Sequence, residues 1–225
     1  MFRARIHKAK AVVAIVATLF LQGVAYSQSE FRQRNEDEVS DELRSLGQRG
    51  DKIARAREHA REILRAQNGC AAWFQESDPD AAEIFRSLHY EIDRRGTSHI
   101  VRLRTELGVS SFKHPWGAMS DENAGKNSNI FLNAYGPFFA QQSRVTDSGV
   151  IMRPTWRKLN VGIYDGDTNE ARVAILLHEL GHVIGRLPAD NDSWDGVSSR
   201  NTMEVLAHCK AEIDRSVRKD SRVSN

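Results

Sequence analysis

Five consecutive residues, His178-Glu179-Leu180-Gly181-His182, place two imidazoles four positions apart with a carboxylate between them. Positions four apart share one face of an α-helix, so both rings can reach a single zinc ion. Glu179 projects about 100° round from His178, near enough to hold a water on that metal and to take its proton. The chemistry implied is hydrolysis, with a metal to activate water and a general base beside it. With 8 histidines and 15 glutamates in 225 residues, the pattern arises in about 0.02 of shuffled chains.

The surroundings sharpen this reading. Ala171 to Ile184 is apolar on nearly all sides, which predicts a buried helix. Three ionisable groups on such a helix are costly without a metal or other partner. The positions sharing the histidine face, Ala171, Ala174, Gly181 and Gly185, are all small and predict a face cleared of bulk for metal and substrate. Two satisfied core histidines are the competing explanation, and a large residue at those positions would have favoured it.

Zinc in a catalytic site takes three protein ligands and a water, so a third ligand is needed. Gly185 lets the chain reverse at the helix end and Pro188 stiffens its return. Asp190, the first carboxylate after that turn, is the expected third ligand. Asp192, two residues on, and Glu204, in the next helix, remain open as alternatives. Tyr164 and Tyr135 are candidate donors to the developing oxyanion. His208 beside Cys209 reads as a surface histidine next to a disulfide partner, and His89, His99 and His114 lack ligand spacing.

Through HELGHVIG at 178–185 the chain resembles the zincin superfamily of metallopeptidases. The resemblance implies that His178 and His182 bind one zinc ion and that Glu179 is the general base. It also implies a small twisted sheet beside the site helix, an edge strand lining the substrate groove, and peptide hydrolysis. It covers under a tenth of the chain. The metzincin pattern HExxHxxGxxH/D departs here, because its last position is Pro188, which has no donor atom. Met203 sits at a helix start and does not match a metzincin Met-turn.

The elements that must position these groups follow from periodicity and breakers. Ile53, Ala56, Ala60, Ile63 and Leu64 predict an amphipathic helix over 51–67, stopped by Asn68-Gly69. Asp78-Pro79 starts another, with Ile84, Phe85 and Leu88 inward. Residues 99–104 alternate as a strand, and 130–132, 150–152 and 160–164 are further strand candidates. The Gly/Asn/Ser-rich stretch 113–129 reads as a long loop. Asp167 with Glu170 predicts a capping box for the site helix, and a last helix starts at Asn201 with Glu204 at the box position. Residues 28–50 read as a polar, flexible leader or a frayed helix ending at Gly47 and Gly50, and 215–225 as a polar tail. The expectation is an α+β, zincin-like catalytic domain over 51–214.

Export explains the charge. Arg3, Arg5, Lys8 and Lys10 precede an apolar run from Ala11 to Ala25 and a small-x-small exit, which together read as a cleaved secretory signal over 1–27, with an uncleaved N-terminal anchor as the alternative. The run is shorter than the roughly 20 residues of a permanent span, so no stable membrane insertion is expected after cleavage. The whole chain carries +2, but losing four basic residues leaves 28 basic against 30 acidic. No basic face remains to favour nucleic acid. A periplasmic or extracellular protein with two cysteines predicts the disulfide Cys70–Cys209. The functional expectation is an exported zinc hydrolase acting on a peptide or protein substrate. A zinc amidase or esterase on a non-protein substrate, and an exported binding protein that keeps the zinc helix as a strut, are the rivals.

Overall fold

The computed structural model describes residues 37–105, 108–146, 154–190 and 196–223. The expected signal, residues 28–36 and the strand candidate at 150–152 lie outside them. Among the described residues, no helix is long and apolar enough to cross a membrane.

The fold is mixed α+β with small sheets. Its helices are α1 (37–45), α2 (Gln48–Arg65), α3 (Gly69–Gln75), α4 (Ala81–Arg86), α5 (Asn169–Val183) and α6 (Val197–Val223). A three-stranded sheet has the order β1 (His89–Asp93), β5 (Asn129–Asn133), β4 (Ala118–Ser120). β1 and β5 are parallel, with Tyr90 opposite Ile130. β4 runs antiparallel on the edge, with Ser120 opposite Ile130. Three two-stranded ribbons complete the strands. They are β2 (Ser98–Thr105) with β3 (Gly108–Pro115), β6 (Gln142–Thr146) with β7 (Pro154–Lys158), and β8 (Asn160–Val161) with β9 (Tyr164–Asp165).

Helix α5 is the centre of the core. Every residue from Ala171 to Val183 is buried, and α2, α6, β4 and the β8–β9 ribbon pack round it. Its entry is built differently from the expected capping box. Thr168 is the N-cap, its Oγ1 accepting from the Ala171 amide at 3.2 Å. Asp167 instead adopts a left-handed backbone (φ 60°), and its carboxylate accepts from Lys52 of α2 and from Arg172. Arg172 is buried with its donors used, to the Phe138 carbonyl at 3.0 Å and Asn169 Oδ1 at 2.8 Å. A buried guanidinium so satisfied fixes the start of the helix without an orphaned charge.

Asn68 both closes α2, as expected, and opens α3. Its Oδ1 accepts from Ala71 N at 2.8 Å to cap α3, and its Nδ2 donates to the Ile63 carbonyl of α2 at 2.8 Å. Cys70 in α3 is bonded to Cys209 in α6, so the expected disulfide is present.

Five expectations are corrected. The polar leader is helical from residue 37, with Val39 and Leu43 in the core and Glu42 accepting from the Tyr90 amide at 3.1 Å. Gly50 is no breaker; α2 passes so close to the end of α1 that a Cβ there would lie 1.8 Å from the Leu43 carbonyl oxygen. The tail is helical too: α6 runs to Val223, and Ser216 shares a 2.7 Å hydrogen bond with buried His59 of α2. The stretch 113–129 is not all loop, since the end of β3 and all of β4 fall within it. β4 has only three residues, too few to show alternation, and its strand character comes from pairing with β5. At 160–164 the single expected strand is two short ones turning at Gly162 (φ 57°).

Candidate metal centre

Helix α5 presents both histidines where the chain leaves it and doubles back. Gly185, at φ 68°, makes that reversal, and a Cβ there would sit 2.1 Å from Asn123 Oδ1 in the loop after β4. No residue but glycine suits both constraints. The amides of Asn123 and Gly125 donate to the His182 and Val183 carbonyls at 3.0 and 3.2 Å, satisfying the end of α5. The returning segment buries Leu187 and brings Asp190 over the histidines.

His178 Nε2 and His182 Nε2 lie 2.9 Å apart. Asp190 Oδ2 is 3.0 Å from His178 Nε2, and its Oδ1 is 3.5 Å from His182 Nε2. These three side chains are the group able to hold a metal ion among the described residues. Their dimensions fit. Ligands at tetrahedral angles around zinc, at about 2.0–2.2 Å, would be separated by about 3.3 Å. The donor set, two neutral imidazoles and one carboxylate, is charge-suited to a divalent cation. Glu204 is exposed on α6 and takes no part, while Asp192 lies outside the described residues.

A second layer holds the first. Asn201 Nδ2 donates to Asp190 Oδ1 at 2.7 Å and to the Pro188 carbonyl at 2.9 Å. Ser198 also hydrogen-bonds Asp190. Thr202 Oγ1 lies 3.1 Å from His178 Nδ1, where it can fix the tautomer that leaves Nε2 free as a ligand. His182 Nδ1 makes no hydrogen bond of good geometry and has the backbone of Leu187 as its polar neighbour.

Glu179 is buried, and Ser120 at the end of edge strand β4 donates to its Oε2 at 2.8 Å. Burial pushes its pKa above the ordinary carboxyl value; the two imidazoles and the Ser120 hydrogen bond pull the other way without cancelling it. Burial also opposes ionising Asp190, yet hydrogen bonds from His178 and His182 outweigh it and hold this carboxyl well below the usual range. For His182, burial disfavours the charge, but the bond to Asp190 and the nearby Glu179 carboxylate raise its pKa.

Several other expectations resolve differently. The small face is not an open one: Leu187 fills the space over Gly181, where a Cβ would lie 2.5 Å from its Cδ1, and Ala171 and Ala174 pack into the core. Small residues here permit close approach of neighbouring segments. The Tyr164 hydroxyl donates to Asp214 of α6 at 2.7 Å. Tyr135 is exposed, with its ring over Gly96. His208 is exposed beside the disulfide-bonded Cys209, as expected, and stacks on Trp73 with ring centroids 4.9 Å apart.

Asn201, Thr202 and Ser120 were not anticipated as part of the site. Asn201 had a visible signal, since it stands four residues before Val205 on the stripe that continues through Cys209 and Ile213, all buried. A polar residue on an inward stripe needs a partner. Ser120 had none, because its role depends on a sheet pairing.

No family profile, curated protein or solved structure matches this chain.

Proposed function

We propose that the chain is an exported zinc-dependent hydrolase, a metallopeptidase of the HExxH type. The observation that carries this is the convergence of His178 Nε2, His182 Nε2 and the Asp190 carboxylate within 4.8 Å of one another, beside a buried glutamate with raised proton affinity. Zinc in a three-ligand site lowers the pKa of its water to about 7 and polarises a carbonyl.

The residues supply the rest. Glu179 takes the proton of the attacking water and returns it to the leaving amine. Ser120 engages Oε2, which orients the carboxylate and leaves Oε1 for that proton. Burial favours the protonated form that Glu179 must hold between the two transfers. Asp190 stays ionised throughout, as a ligand must. The choice of peptide over another amide or ester follows the zincin resemblance. Export is supported by the basic-then-apolar start and by the Cys70–Cys209 disulfide.

The test is cleavage of a mixed peptide library by the secreted protein, with and without a chelator. Cleavage abolished by chelation and restored by one equivalent of zinc supports the proposal. Zinc-loaded protein that cleaves small amides or esters but no peptide moves it to the amidase class. Loaded protein inert to both groups of substrate contradicts catalysis.

A further inference from the structure

Asp190 reaches the histidines from a segment without regular structure, three residues past the bend at Leu187. A ligand carried on such a segment loses affinity to the entropy of ordering it, unless something else fixes it first. Both N–H donors of the Asn201 carboxamide are committed to that segment, one to Asp190 Oδ1 at 2.7 Å and one to the Pro188 carbonyl at 2.9 Å. Asn201 is itself 3% exposed and belongs to α6, which is tied to α3 by the disulfide at Cys209, two turns further along. The anchor therefore sits in a packed, cross-linked helix, whereas the ligand segment has no regular structure of its own.

We propose that Asn201 is a positioning residue of the metal centre, fixing Asp190 as its third ligand by clamping the 188–190 backbone and one carboxylate oxygen together. This rests on the reading of His178, His182 and Asp190 as ligands. The chemistry of the side chain suits the task. A carboxamide donates without adding charge, so the carboxylate keeps its full charge for the cation, whereas lysine or arginine would neutralise it. Occupying Oδ1 also leaves Oδ2, 3.0 Å from His178 Nε2, as the oxygen that would be free to hold a metal. Losing such an outer partner typically costs about 10- to 100-fold in metal affinity.

The test is zinc affinity of the full secreted protein, measured by competition with a chromophoric chelator, for wild type, Asn201→Ala, Asn201→Ser, Asp190→Ala and Asp190→Ala/Asn201→Ala. Cobalt spectra of the same proteins report the ligand geometry. Asn201→Ala is expected to weaken zinc about 10- to 100-fold, with Asn201→Ser, which keeps one donor, losing less. In the Asp190→Ala background, removing Asn201 should change affinity less than about twofold, because its effect runs through Asp190. Wild-type affinity and an unchanged cobalt spectrum in both single Asn201 variants would overturn the proposal. So would an equal loss in the Asp190→Ala background, or metal-free Asn201 variants that fail to fold, since either makes Asn201 a residue of the fold. Wild-type zinc affinity in Asp190→Ala overturns the ligand reading itself, a result distinct from failure of the Asn201 step alone.

Discussion

Replacing both Cys70 and Cys209 by alanine should remove a large part of the stability of this fold, chiefly by freeing the unfolded chain. The bond joins α3 to α6 across a sequence separation of 139 residues. Closing a loop of that length restricts the denatured ensemble by an amount worth about 5 kcal/mol at 25 °C on the chain-entropy model. Residual compactness of the denatured state lowers this, so a loss of about 3–5 kcal/mol is expected. Both sulfurs are fully buried, and losing them adds a small packing cost in the same direction. For a chain of this size that corresponds to a fall in Tm of about 6–20 °C. Urea denaturation of the wild type and the double variant is the assay, because it separates the two contributions. Release of the unfolded chain exposes more surface on unfolding and raises the m-value, whereas a packing defect moves the midpoint alone. A loss below about 1 kcal/mol would refute the reasoning. A full loss at unchanged m would assign the effect to the folded state.

Other consequences are open to direct measurement. Elemental analysis of His182→Ala should find the zinc of the wild type, one per chain, lost; full retention would remove the histidines from the metal site. Zinc affinity should fall as pH falls, by up to about tenfold per unit, since each proton gained by a ligand competes with the metal. The raised pKa of His182 puts the onset of that competition above about 6.5. Without metal the sign reverses on that side. The raised His182 and Glu179 make contributions that are lost as pH rises, and the lowered Asp190 makes one that is lost as pH falls below about 4. The melting temperature of chelated protein should therefore drop between pH 5 and 8 while that of zinc-loaded protein does not, and parallel curves would count against the cluster. Gly185→Ala should cost about 1–2 kcal/mol for its left-handed backbone alone, and more for displacing Asn123, 2.1 Å from the added Cβ. A melting temperature within 1–2 °C of the wild type would refute that, on a scale of about 2–4 °C per kcal/mol.

What could be read from the residues was local. The burial of α5 is written in its predominantly apolar run, and the turn at Gly185 in a glycine after the last periodic residue. The meeting of Asp190 with the histidines was accessible because only a short turn separates them in sequence. The two ends of the chain misled for a common reason. Residues 37–45 and 215–223 carry too few apolar side chains to advertise a buried face. Their order comes from specific long-range partners, Glu42 with the Tyr90 amide and Ser216 with His59. The alanines and glycines of the histidine face also have two physical meanings, open space or close approach. Only the position of Leu187 against Gly181 decides between them.

The central claim is that Glu179 acts as the base in a hydrolysis that His178, His182 and Asp190 support by holding zinc. Glu179→Gln keeps the shape of the side chain and a partner for Ser120 but removes the base. The decisive measurement is the turnover of a peptide cleaved by the wild type, compared between the two proteins at equal, verified zinc occupancy. The variant is expected to be folded and zinc-loaded, with kcat lower by about two to four orders of magnitude. A zinc-loaded Glu179→Gln that cleaves the peptide at the wild-type rate would contradict it.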